Sequence, residues 1–179
     1  IRMKVWQDGA PVKDSTGFAS ATLMDLPDGP LRLKVDLVAT RDAKVWTFSP
    51  RTHTVWGIRS PGLSKGLDSV DLMPVLQVGY DVKTDLAGYA RGGKQSVRFS
   101  VSHLADVYGG GRIRSASLAV SYDDGKHWTT VPATRAGAWW SAGFTAPSRG
   151  YVSLRVTGRD SAGNTVSQEI VRAYGLRGR

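Results

Sequence analysis

The residues best suited to chemistry in this chain fall in one octapeptide, Ser121-Tyr122-Asp123-Asp124-Gly125-Lys126-His127-Trp128. Its two adjacent carboxylates invite a calcium reading. Ca²⁺, however, takes about six to eight oxygen ligands, and Asp123 and Asp124 alone fall short of that. The spacing S-x-D-x-G-x-x-W suits a structural turn better. Asp123 is expected to accept hydrogen bonds from turn amides, Gly125 to supply a positive φ, and Trp128 to pack behind the turn. Asp124-Gly125 lies between two extended runs, residues 113–122 and 128–131, which is a strong hairpin signal.

Other candidate motifs lack the context their chemistry requires. Gly62-Leu63-Ser64-Lys65-Gly66 matches G-x-S-x-G. A nucleophile elbow needs a buried strand before it and a helix after it. Here Pro61 precedes it, and Leu67-Asp68-Ser69 carries no helical period. The histidines, His53, His103 and His127, match no zinc spacing. Gly92-Gly93-Lys94 lacks the spacing of a phosphate-binding loop. No catalytic residue, metal ligand or cofactor is therefore assigned. The six tryptophans are Trp6, Trp46, Trp56, Trp128, Trp139 and Trp140. Trp46 and Phe48 are expected to share a core-facing strand surface. Trp139 and Trp140 must point opposite ways if extended, so one of them is a candidate for stacking on sugar or anchoring a protein partner.

The elements that would position these residues read as strands. Leu31, Leu33, Val35 and Leu37 alternate with Arg32, Lys34 and Asp36, the period of a half-buried strand. Further strands are expected over 3–6, 18–24, 45–49, 52–59, 74–80 and 96–102. A turn is expected at Pro27-Asp28-Gly29-Pro30, and a Gly-rich loop over 105–112. A second hairpin is read in YVSLRVTGRD-SAGN-TVSQEIVRAYGL, residues 151–176. Residues 60–71, with Pro61, Gly62, Gly66 and few apolar anchors, read as a linker. The expected architecture is all-β, with two β-sandwich modules of immunoglobulin or fibronectin-III type in tandem, over 1–72 and 73–179.

Composition agrees with that reading. Gly numbers 21, Glu169 is the only glutamate, and 41% of residues are hydrophobic. Cysteine is absent, which excludes a disulfide scaffold and cysteine metal sites. No membrane span of ~18 apolar residues and no signal peptide is visible. The chain begins at Ile1 rather than Met, which reads as a fragment or a processed product. The net charge is +9. Residues 74–179 hold 14 Lys/Arg and 7 Asp/Glu, whereas residues 1–73 hold 10 and 8. Such a balance admits an acidic polymer or nucleic acid as partner. The cations are scattered singly along strands, which favours an Arg-rich solvated surface and disfavours nucleic acid.

Two resemblances sharpen these expectations. The octapeptide at 121–128 is similar to the Asp-box hairpin of sialidases, which is structural rather than catalytic there. One copy does not suggest a propeller. The segments ATRDAKVWTFSPRTHTVWGIRS (39–60), PVLQVGYDV (74–82), LAVSYDDGKHWTTV (118–131) and YVSLRVTGRDSAGNTVSQEIVRAYGL (151–176) together resemble the C-terminal region of secreted actinobacterial subtilisin-like serine peptidases. The resemblance implies immunoglobulin- or fibronectin-III-like modules downstream of a catalytic domain in the same parent chain, and an extracellular location. That family's catalytic Asp, His and G-T-S-x-x-x-P segments have no counterpart here. The expected role is a non-catalytic accessory region that stabilises the protease or binds a protein or polymer substrate. A carbohydrate-binding module using Trp139 or Trp140 is the alternative, and a basic nucleic-acid-binding module the third reading.

Overall fold

A computed structural model describes residues 1–20, 29–62 and 72–178. Among the described residues there is no helix, as the strand-rich composition predicts. The strands in chain order are β1 (Arg2–Gln7), β2 (Ala10–Thr16), β3 (Leu31–Thr40), β4 (Arg51–Ser60), β5 (Leu76–Val82), β6 (Tyr89–Arg91), β7 (Gly93–His103), β8 (Ile113–Ser121), β9 (Thr129–Val131), β10 (Ala133–Ala136), β11 (Trp139–Ala146), β12 (Gly150–Asp160) and β13 (Thr165–Arg177).

They form two sheets. The larger follows the order β2-β1-β3-β4-β13-β12-β8-β9, with β6 added in parallel to the end of β13. The smaller is β10-β11-β7-β5, antiparallel throughout. The β4–β13 pairing runs from Gly57↔Thr165 to Thr52↔Ile170. Through it, strands of the 1–72 and 73–179 segments lie side by side in one sheet.

The alternating side chains of the small sheet meet those of β8, β12 and β13 face to face, which gives a sandwich core. Val97, Phe99 and Val101 of β7 oppose Leu118 and Val120 of β8 and Val152, Leu154 and Val156 of β12, all buried. Trp140 stacks on Phe99 with ring centroids 5.9 Å apart. Burying each such side chain stabilises the fold by about 1.5–3 kcal/mol. A smaller cluster, Leu31, Leu33 and Ile58, lies under β3 and β4 and is covered by Met73 and Val75. Trp56 touches both clusters, and its indole N–H donates to the Leu76 carbonyl at 2.8 Å.

Several elements differ from expectation. Residues 45–49 form no strand. Asp42 captures the local backbone instead: its carbonyl accepts from Val45 and Trp46, and its carboxylate from the Lys44 amide at 2.9 Å. This side-chain competition ends any ladder there. Trp46 is consequently 54% exposed, with Arg41 over its ring, and not in the core. Phe48 packs edge-on to Tyr89 and Tyr151. Phe18 is exposed and residues 18–20 are not extended into a strand; the rest of the expected strand at 18–24 lies outside the described residues, as do Pro27 and Asp28 of the expected turn. The strand in that region is β2, joined to β1 through Asp8-Gly9 at φ 47° and 90°. Both central residues in the left-handed region are what a tight two-residue hairpin requires. β2 is exposed almost throughout, so it shows no apolar alternation to read. The short hairpin β10–β11, turning at Gly137 with φ 64°, was likewise unmarked.

Candidate functional site

The octapeptide forms the loop between β8 and β9, and its chemistry is spent on closing that loop. Ser121 Oγ donates to Asp123 Oδ1 at 2.7 Å and accepts from the Gly125 amide at 3.0 Å. Asp123 Oδ1 accepts from the His127 amide at 2.9 Å, and its other oxygen meets the His127 ring. The His127 amide, then its ring and the Ser121 hydroxyl, hold the Asp123 carboxyl well below the usual carboxylate range. Gly125 has φ 84°, and a Cβ there would lie 3.2 Å from the Trp128 ring. Arg155 covers that ring, 4.6 Å from its centroid.

Asp124 leaves the loop to make a contact the sequence does not announce. The Arg172 guanidinium grips it with two hydrogen bonds of 2.9 and 2.6 Å and lowers its pKa. Arg172 reaches it because β13 bulges opposite Ser153. The register shifts there, Arg172 adopts φ 51°, and its amide donates to Ser153 Oγ at 3.0 Å. The bulge thus aims a side chain, as bulges commonly do. Neither Asp123 nor Asp124 offers a free carboxylate for a cation.

A second knot ties the β12–β13 hairpin to its surroundings. Asp160 and Asn164 are both buried. Asp160 accepts from the Asn164 amide and side chain, each at 2.7 Å, from the Gly111 amide at 2.9 Å, and pairs with His103 Nε2 at 3.0 Å. Asn164 Oδ1 accepts from the Arg59 amide at 2.7 Å. Burial pushes the Asp160 carboxyl up, but these hydrogen bonds outweigh it and the net shift is downward. The knot therefore fixes the Gly-rich loop, the hairpin and β4 to one another. The Asp-x-x-x-Asn spacing within the predicted hairpin is its local signal, and it marks only the turn.

All three histidines pair with aspartates: His53 with Asp36 at 3.0 Å, His103 with Asp160, and His127 with Asp123. Among the described residues no serine or threonine hydroxyl hydrogen-bonds a histidine ring. Residues 63–66 of the G-x-S-x-G match lie outside the described residues. Gly93 and Lys94 open β7, and Lys94 sits opposite Thr145 in the ladder, with no helix following.

The two candidate binding tryptophans separate. Trp140 is 5% exposed and belongs to the core, with the Arg135 guanidinium over its ring, 4.7 Å from the centroid. Trp139 takes the opposite, solvent-facing surface of the small sheet. It sits opposite Ser100, which is opposite Gly79. A Cβ at Gly79 would crowd Ser100 Oγ at 2.6 Å and would meet the indole Cη2 at van der Waals distance, 3.9 Å. Arg98 stacks on the ring at 5.1 Å and pairs with Asp81 at 3.3 Å. No protein-family model matches this chain, and no curated protein sequence matches it either.

Proposed function

We propose that this chain is a non-catalytic accessory region of an extracellular subtilisin-like serine protease, which stabilises the enzyme or holds a protein or polymer substrate. The observation that carries this reading is the use of its reactive groups: each histidine–aspartate pair closes a turn, a knot or a cross-strand contact, and among the described residues none addresses a hydroxyl nucleophile. A sandwich whose histidines and their aspartate partners are engaged internally suits a scaffold. The resemblance of segments 39–60, 74–82, 118–131 and 151–176 to subtilase C-terminal regions supplies the parent enzyme and the extracellular location. The partner would be the catalytic domain of the same parent chain, and stabilisation would follow from binding to its native state.

The test compares the full-length parent with a form lacking this region. Hydrolysis of a short chromogenic peptide should be nearly unchanged, while thermal inactivation, secretion yield or turnover of a large protein substrate should suffer. Equal behaviour in all four would refute the accessory reading. The isolated chain should not cleave casein.

A second reading, a carbohydrate-binding module, is favoured by one observation: Trp139 lies over Gly79 and Ser100 on an open sheet face beside Arg98. An indole laid over small residues offers a stacking platform. Polysaccharide pull-down that is lost in Trp139→Ala would support it, and retention in that variant would remove Trp139 from the site.

A further inference from the structure

The solvent face of the large sheet, opposite the sandwich core, carries a row of side chains that no reading above uses. Cross-strand register places Trp6, Lys34, Gly57, Thr165, Arg159 and Ser115 in one line across β1, β3, β4, β13, β12 and β8. The adjacent line on the same face is Lys4, Asp36, Val55, Ser167, Thr157 and Ser117. With strands ~4.8 Å apart, each line spans roughly 24 Å.

Between the two lines lies an open depression of 430 Å³ bordered by Ser115, Ser117, Thr157, Arg159, Thr165 and Ser167. That volume falls within the ~300–1,000 Å³ of small-ligand sites. Five of its ten lining residues carry hydroxyls, and Val55, Ala116, Gly158 and Val166 add apolar surface between them. Gly57 lets the Thr165 hydroxyl lie against the sheet, since a Cβ at Gly57 would be 2.6 Å from Thr165 Oγ1. Ser117 and Thr157 share a hydrogen bond of 2.7 Å.

Charge on this face is unevenly committed. Arg2 and Lys4 pair with Asp14, and Arg155 with Glu169. Lys34 and Arg159 make no ion pair among the described residues. They stand on the same line, three strand spacings or roughly 14 Å apart, on either side of Gly57 and Thr165. Lys34 also lies 4.5 Å over the Trp6 ring at the line's end.

We propose that this line is a binding track for an acidic polysaccharide, a linear chain of hydroxylated sugar rings bearing carboxylates. Lys34 and Arg159 meet carboxylates, the Thr165 and Ser167 hydroxyls meet ring hydroxyls between them, those of Ser115 and Ser117 continue the contact past Arg159, and the Lys34–Trp6 pair closes the other end. Charge complementarity sets the class, because Arg159 borders the depression, Lys34 stands three strands along the same line, and neither makes an ion pair among the described residues. The neutral stretch between the cations matches charges carried on separate rings better than the continuous phosphates of a nucleic acid, which draw on many cations at once. A second copy of the same face would set Lys34 and Arg159 against like charge. The track lies on the sheet opposite Trp139 and does not require a protease parent, so its test is independent of the readings above.

The experiment titrates the 179-residue chain with oligogalacturonate, a neutral dextran oligosaccharide and a single-stranded oligonucleotide, at low and at raised salt. Oligogalacturonate should bind, weaken with salt, and bind more tightly than either control. Arg159→Gln should weaken it by about tenfold, the value of one charged hydrogen bond. Lys34→Gln should weaken it and reduce the salt dependence, while Arg98→Gln on the other sheet should change nothing. Lys34 and Arg159 are not core residues, so unchanged circular dichroism is expected for both variants. The proposal is overturned if oligogalacturonate does not bind, if the oligonucleotide or dextran binds equally well, or if Arg98→Gln weakens binding as much as Arg159→Gln. Wild-type affinity in both track variants would overturn it as well.

Discussion

Replacing Asn164 by alanine tests the knot that joins β4, the Gly-rich loop and the β12–β13 hairpin. Asn164 is fully buried, and its bond to the Arg59 amide is partly shielded from solvent. The substitution removes the acceptor of the Arg59 amide, 2.7 Å away, and leaves that N–H without its partner. An unsatisfied buried donor costs about 1–3 kcal/mol. It also removes the Asn164 side-chain donor to Asp160 Oδ2, a hydrogen bond to a charged group worth about 1.5–3 kcal/mol. Asp160 keeps the amides of Asn164 and Gly111 and the His103 ring, so its charge is not stranded. The expected loss is therefore about 3–5 kcal/mol, a large share of the ~5–15 kcal/mol that holds an ordinary domain. Urea unfolding followed by tryptophan fluorescence reads it. With a slope near 2 kcal/mol per molar, the midpoint should fall by about 2 M. Trp56 sits on β4, three residues from the Asn164 contact at Arg59, so its emission reports on the affected region. A loss below about 1 kcal/mol would refute the argument, because it would mean that the Arg59 amide and Asp160 are satisfied in some other way.

Gly125→Val forces a β-branched residue to φ 84° and toward the Trp128 ring, and should cost roughly 1–3 kcal/mol in the denaturation midpoint; an unchanged midpoint would contradict the loop geometry. Arg172→Ala removes a bidentate contact with Asp124 that is partly open to solvent, and should cost about 1 kcal/mol, with Asp124→Ala no longer additive to it in a double-mutant cycle. Asp160 has a folded-state pKa below its ordinary value, so the stability it contributes is full above that ordinary value, about 4, and is lost as pH falls through the folded one. Unfolding midpoints measured from neutral to acid pH should fall on that side, and Asp160→Asn should flatten the fall while lowering stability at neutral pH.

The sequence by itself determined the local parts. Period-2 alternation over Leu31–Ala39 predicts a strand with one buried face, and β3, Leu31–Thr40, is that strand. Asp124-Gly125 marks a turn, and the loop there carries positive φ at both residues. These features are legible because they depend on neighbours a few residues away: pleat, turn chemistry and glycine's freedom. Asp8-Gly9 carried the same signal, yet β2 was obscured because a strand exposed on nearly every residue leaves no hydrophobic pattern. Trp46 was misplaced because an apolar run cannot reveal that Asp42 will take its backbone hydrogen bonds.

Only the tertiary structure decided which residues meet at a distance. Asn164 bonds to Arg59 across 105 positions, and Arg172 to Asp124 across 48. Neither pairing has a local signature, because each depends on strand order and on a bulge that redirects one side chain. The sequence required that Trp139 and Trp140 part ways; sheet packing chose Trp140 for the core by placing Phe99 beneath it. The line from Trp6 to Ser115 exists only because β4 pairs with β13 in one register, and a shift of one residue would turn Thr165 and Arg159 to the other face.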